Sequence, residues 1–124
     1  MLQATGSMEE VVSKHPNVAE CAVVGRADEF RGQVPVGFVV LKSDVKKDPE
    51  VIIQELVRMV RDQIGAFACF REAVVVKRLP KTRSGKILRG MMRKIVDGVA
   101  YTIPSTIDDP AILKEIEDAA KMVR

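Results

Sequence analysis

Leu79-Pro80-Lys81-Thr82-Arg83-Ser84-Gly85-Lys86-Ile87 places charge and backbone flexibility where a core would ask for an apolar run. Ala73 to Lys77 before it predicts a strand, and Leu88, Met91, Met92 and Ile95 after it fall at helical spacing. The stretch reads as a strand-to-helix connection, in which Pro80 stops the strand and Ser84 is placed to cap the helix. Lys86 then stands at the turn, with Gly85 letting the backbone bend or approach a ligand closely. Such a position suits a cation held against phosphate or carboxylate, although a lysine on a polar loop is ordinarily solvated surface. A nucleotide P-loop does not fit, because it needs a glycine five positions before the Gly-Lys pair and Pro80 stands there.

Working back toward the N-terminus, Gly65 to Phe70 is a connection into the Ala73–Lys77 strand. Before it, Asp48 and Pro49 form a cap and a first helical position. Val51, Ile52, Ile53, Leu56, Val57, Val60 and Ile64 then make an apolar stripe ending at Gly65. Arg61 sits at the edge of that stripe, where its default role is a snorkelling surface side chain. Val18 to Val24 and Pro35 to Leu41 predict two valine-rich strands joined by a polar, hairpin-like loop, with Pro35 suited to a strand's first residue or an edge. Ser7-Met8-Glu9-Glu10 matches a capping box, and Met8, Val11, Val12 and His15 share a face of the helix it would open. Pro16-Asn17 stops that helix, with His15 as a helix-end residue.

On the far side, Asp97-Gly98 ends the helix after Lys86. Val99 to Ile107 has no periodicity and reads as an extended segment. Asp109-Pro110 repeats the cap-and-proline start, followed by Ile112, Leu113, Ile116, Ala119, Ala120 and Val123 on one helical face. The order helix, strand, strand, helix, strand, helix, helix implies a small α+β domain, with a mostly antiparallel three-stranded sheet packed by helices. Strand order cannot be read from this pattern.

A chain of 124 residues holds one domain with a modest core, and 47% hydrophobic with 30% charged residues is ordinary globular composition. No apolar run approaches the roughly 18 residues of a membrane span, and the N-terminus lacks a signal peptide's pattern, so an intracellular soluble protein is expected. Cys21 and Cys69 sit in apolar surroundings and read as buried free thiols. With His15 the sole histidine and no cysteine pair at ligand spacing, no metal site is expected. The net charge of +3 is mild. Lys77, Arg78, Lys81, Arg83, Lys86, Arg89, Arg93 and Lys94 nonetheless crowd one segment and suggest an anionic partner.

The string Leu79 to Lys86 resembles the C-terminal signature of AMP-forming acyl-CoA synthetases. Val18 to Gly25 with Ala27-Asp28, and Gly32-Gln33-Val34-Pro35, are similar to the paired strands that open the C-terminal domain in that superfamily. Ser105-Thr106-Ile107-Asp108-Asp109-Pro110 is similar to the terminus of acetyl- and propionyl-CoA synthetases, which points to the short-chain branch.

The resemblance implies an enzyme that joins a carboxylic acid and ATP into an acyl-adenylate with release of pyrophosphate. It then passes the acyl group to CoA with release of AMP. ATP and CoA are implied as substrates, with Mg expected beside ATP and bound outside this chain. Lys86 matches the family's catalytic lysine, a known target of inactivating acylation; Arg83, Ser84 and Gly85 share its loop and are expected beside the cofactor. Arg61 matches an arginine that contacts the phosphorylated end of CoA.

The family's small C-terminal domain rotates between the two half-reactions. Its Gly-X-Arg segment after the hinge is not found around Met1 to Gln3. The large N-terminal adenylation domain has no counterpart either, so residues 1–124 are expected to be a C-terminal domain that is inactive alone. Its partners would then be that domain, CoA and a short-chain acyl-adenylate.

A small basic nucleic-acid-binding module, or an interaction module without catalysis, is the alternative. A KH clamp needs Gly-X-X-Gly, which is missing, and an RNA-recognition fold needs exposed sheet aromatics, for which the strands offer only Phe38.

Overall fold

A computed structural model describes residues 5–28, 32–65, 70 and 72–122. The elements are α1 (Thr5–Ser13), β1 (Val18–Asp28), β2 (Gly32–Leu41), α2 (Pro49–Gln63), β3 (Glu72–Val75), α3 (Arg89–Asp97) and α4 (Ile112–Lys121), in the predicted order. The sheet has strand order β1-β2-β3. β1 and β2 pair antiparallel from Val18↔Leu41 to Asp28↔Gly32, while β3 joins β2 in parallel from Val36↔Glu72 to Val39↔Val75. A parallel neighbour needs a crossover, and α2 supplies it. The domain is therefore α+β with a mixed, mostly antiparallel sheet.

Helices cover both faces. Cys21 and Val23 of β1 and Val39 of β2 pack with Met8, Val11 and Val12 of α1 and Ile52, Leu56 and Val60 of α2. Ala22, Val24, Val36, Phe38 and Val74 point the other way, into Met92, Ile95, Ile116 and Ala120 of α3 and α4. Two dry faces explain why residues 21–25 and 34–39 are buried without alternation, a pattern that a one-sided sheet would not show.

The strands run longer than their valine-rich segments predict. Arg26, Asp28 and Gln33 extend the hairpin because backbone pairing continues through polar residues. Pro35 is not the first residue of its strand. It lies within β2 opposite Gly25, and is tolerated there because the β3 ladder begins only at Val36.

α2 begins as predicted, with the Asp48 Oδ1 accepting from the Glu50 N–H at 3.0 Å and Pro49 in the first turn. Its stripe is narrower than the sequence suggests: Ile52, Leu56 and Val60 are buried, while Val51 and Ile64 are 43% and 39% exposed. Ser7 is not a cap, because α1 already includes Thr5, and Glu9 turns to the sheet instead, accepting from the Val23 N–H at 2.9 Å.

His15 is buried at the end of α1. Its Nδ1 accepts from the Asn17 N–H at 3.0 Å, so its Nε2 carries the proton donated to Glu55 at 2.7 Å, fastening α1 to α2. Lys47 also reaches Glu55, at 2.9 Å, and these two donors, Lys47 foremost, hold the Glu55 carboxyl below the usual carboxylate range.

Cys21 is a buried free thiol, and Cys69 lies outside the described residues. Burial, reinforced by Glu9, pushes the Cys21 thiol up to about 11. Near neutral pH it is therefore almost wholly un-ionised and, being buried, slow to alkylate; urea should make the Cys21 peptide react at the rate of an ordinary cysteine, as peptide mapping can follow.

Two glycines separate backbone from packing. A Cβ on Gly37 would stand 2.8 Å from the ring Cζ of buried Phe70, whereas one on Gly25 would meet only the Gln33 side-chain end at 2.7 Å. Gly37→Ala is expected to destabilise by about 1–3 kcal/mol and Gly25→Ala by less than about 1 kcal/mol, read from urea melts.

Candidate functional site: the Lys86 loop

β3 is shorter than predicted, ending at Val75, although the Val76 N–H still donates to the Val39 carbonyl at 2.8 Å. Leu79 and Pro80 are then buried, Leu79 within the core of the α3/α4 face. The chain next makes a tight hairpin. Leu88 N–H donates to the Pro80 carbonyl and Thr82 N–H to the Lys86 carbonyl, both at 2.9 Å, around the bridge Lys81↔Ile87.

The Gly85 N–H closes the turn onto the Thr82 carbonyl at 2.9 Å, and Gly85 has φ 92°. A turn followed by a left-handed residue is what a three-residue hairpin loop requires. Gly85 thus supplies the bend, and open space surrounds the place where a Cβ would stand. The Thr82 hydroxyl accepts from the Lys86 N–H at 3.1 Å and bonds the Ser84 hydroxyl at 2.9 Å.

Ser84 is not a helix cap. α3 starts at Arg89 with Leu88 in the cap position and no side-chain cap bond, because Ser84 is used inside the hairpin turn. The helix does end at Gly98, as predicted.

Among the described residues, three of the eight cluster residues are held by the protein's own carboxylates. Arg89 holds Glu9 through two bonds of 2.5 and 3.0 Å, Lys81 reaches Glu20 at 2.9 Å, and Arg78 bridges Asp109 and Glu115, each at 2.7 Å. Glu115 first and then Asp109 raise the Arg78 guanidinium, and Arg78 holds the Asp109 carboxyl below its ordinary range. These cations neutralise the protein's own carboxylates. Arg83 and Lys86 are exposed, and no partner reaches their charged groups among the described residues. The loop therefore presents two free cations on a backbone pinned by the amides of Thr82, Arg83, Gly85 and Lys86.

Arg61 is not brought to this loop. It lies in the last turn of α2, exposed, beside a shallow hollow with Glu50, Ile53, Gln54, Val57 and Arg58. α2 covers the opposite face of the sheet from the core that anchors Leu79, Ile87 and Leu88.

One contribution to the site was not legible in the sequence. The aperiodic segment before α4 returns to the loop, where Ile107 forms a bridge with Thr82 and is itself buried. The apolar Ile107 amid polar neighbours was its single local signal.

Phe38 is fully buried, so the β2 strand offers no aromatic surface for a base. Among the described residues no three His, Cys, Asp or Glu side chains gather into a metal-holding group, and no helix is long and apolar enough to cross a membrane.

Comparison with known proteins agrees with this geometry. Residues 7–86 match the model of the AMP-binding enzyme C-terminal domain. An uncharacterized protein of Pseudomonas aeruginosa is 61% identical over 119 residues, covering 96% of this chain and 19% of its own length. The mitochondrial acyl-CoA synthetase short-chain family member B of Dictyostelium discoideum is 50% identical over 114 residues, covering 92% of this chain and 17% of its own. The crystal structure of a Brucella canis acyl-CoA synthetase superposes with TM-score 0.65 at 40% identity, over 73% of this chain and 16% of that one. This chain thus spans less than a fifth of the length of these curated relatives.

The loop geometry separates conformation from charge. Lys86→Ala is expected to leave stability within about 0.5 kcal/mol, since its side chain packs on nothing charged. Gly85→Ala, forced into a left-handed conformation, should cost about 1–2 kcal/mol. Thermal melts of the two variants side by side would check both.

Proposed function

Because this chain belongs to the AMP-binding enzyme C-terminal domain family, we propose that it is the C-terminal domain of an AMP-forming, short-chain acyl-CoA synthetase and that Lys86 is the cation it brings to adenylation. The observation that carries the reading is the free Lys86 ammonium on a residue whose own amide and carbonyl are both hydrogen-bonded to Thr82.

In adenylation a carboxylate must attack the α-phosphate of ATP, and both are anions. A positioned ammonium lowers their repulsion and offsets the charge developing on phosphorus. A lysine already paired with a protein carboxylate would have to give up that pair first, whereas Lys86 does not. Arg83 adds positive potential beside it, and Ser84 and Gly85 shape the turn. The acyl and ATP pockets, and the Mg that accompanies ATP, are assigned to the large adenylation domain of the same enzyme.

Arg61 is assigned to the second half-reaction, as a donor to a phosphate of CoA, for which the guanidinium fork is suited. Its position on the opposite face from Lys86 supports a domain that rotates to present different surfaces in the two half-reactions.

In the full-length enzyme, Lys86→Ala should slow ATP–pyrophosphate exchange by several orders of magnitude, for a loss on the order of 4 kcal/mol of transition-state stabilisation. Thioester formation from supplied acyl-adenylate and CoA should continue at a near-normal rate. Equal losses in both half-reactions would argue against rotation, and no loss in either would remove Lys86 from catalysis. Arg61→Ala should do the converse, weakening CoA use by about 1.5–3 kcal/mol while sparing exchange. The 124-residue chain alone should show no exchange with acetate or propionate.

A further inference from the structure

The Lys86 hairpin has a third strand. Arg83 N–H donates to the Thr106 carbonyl and Asp108 N–H to the Lys81 carbonyl, both at 2.9 Å, on either side of the Thr82↔Ile107 bridge. Lys81 and Thr82 therefore lie between two antiparallel partners, the Lys86–Ile87 side of the hairpin and the segment around Ile107.

This segment is anchored at both ends. Ile107 is buried in the core that contains Leu79, with Ile87 and Leu88 packed against it. Two residues on, Asp109 holds Arg78 and accepts from the Ala111 N–H at 3.0 Å. The segment itself lies beyond residue 86, where the family match ends.

We propose that Thr106–Asp109 is a strap that positions Lys86, with Ile107 as its positioning residue. A two-stranded hairpin is marginal by itself, and a third strand is the usual remedy. The lysine side chain is long and flexible, so its aim depends on where its backbone starts, and a displacement of about 1 Å can cost on the order of a hundredfold in rate. The strap fixes that starting point from the side of the loop away from Lys86, so the ammonium stays free while the backbone beneath it does not move. The inference rests on the reading of Lys86 as the adenylation cation.

The test is a double-mutant cycle in the full-length enzyme, using Ile107→Ala and Lys86→Ala and following ATP–pyrophosphate exchange. Ile107→Ala should lower the exchange kcat by about tenfold or more with the KM for ATP within about twofold, and Ile107→Val should restore most of the rate. On the Lys86→Ala background, Ile107→Ala should produce no further loss, since the strap acts through the lysine. Thioester formation from supplied acyl-adenylate should be unchanged.

The same fractional loss on both backgrounds, or equal losses in the two half-reactions, would mean a general structural role and overturn the strap. A large Lys86→Ala effect with none from Ile107→Ala would overturn the strap and leave the adenylation reading standing; no Lys86→Ala effect would overturn that reading itself. If Ile107→Ala fails to fold, Arg78→Met releases the Asp109 end from the exposed side. A loss that disappears on the Lys86→Ala background then supports the strap, and an additive or absent loss overturns it.

Discussion

β2 has both faces dry and a strand on each side, and the remaining elements are arranged to keep it so. Val36 and Phe38 need one helical layer and Val39 another, while Gly37 leaves room for Phe70 to lie against the strand. A sheet of three strands cannot shield both faces by itself, so helices must be laid on each side. The chain meets this with α1 and α2 on one face and α3 and α4 on the other. Placing β3 parallel to β2 commits α2 to the crossover and leaves β3 free to run from the sheet into the Lys86 loop. The loop's location is thus a consequence of sheet coverage.

Electrostatics finishes what packing begins. Glu9 on α1 is met by the Val23 amide of β1 and by Arg89 at the start of α3, so one carboxylate joins a strand to helices on opposite faces. Lys81 and Arg78 do similar work around the loop, toward β1 and toward the start of α4. Exposed pairs of this kind contribute little energy each. Their larger effect is selective, since they occupy Arg78, Lys81 and Arg89 and leave the loop cations Arg83 and Lys86 available to an anionic ligand.

Two short signals are legible in the sequence alone. Asp48-Pro49 and Asp97-Gly98 are local backbone requirements, and the structure places a helix start and a helix end at them. Ser7 and Ser84 were misread for a common reason: a hydroxyl near a helix start has several backbone and side-chain partners within reach, and the winner depends on where the chain goes next. Ser7 was already inside α1, and Ser84 was taken by the Thr82 turn. The signature loop was legible because its identity lies in eight consecutive residues, but its bracing was not. Residues 82 and 107 meet through a long-range pairing that leaves no periodic trace, and a stretch without helical or strand period reads as extended chain even when it is hydrogen-bonded.

Free charge and fixed backbone are opposing demands on a lysine. Burying Lys86 or pairing it would fix its position but tie up the charge, and leaving it on an open loop would free the charge but not its place. The hairpin resolves this by separating main chain from side chain. The Lys86 amide is held by the Thr82 hydroxyl and its carbonyl by the Thr82 amide, while the ammonium remains in solvent. Such an arrangement works only if Thr82 is itself immobile, and Thr82 gains that from its second partner, Ile107. The chain of restraint therefore runs from the buried Ile107 to Thr82 to the Lys86 backbone, and stops there, short of the charge.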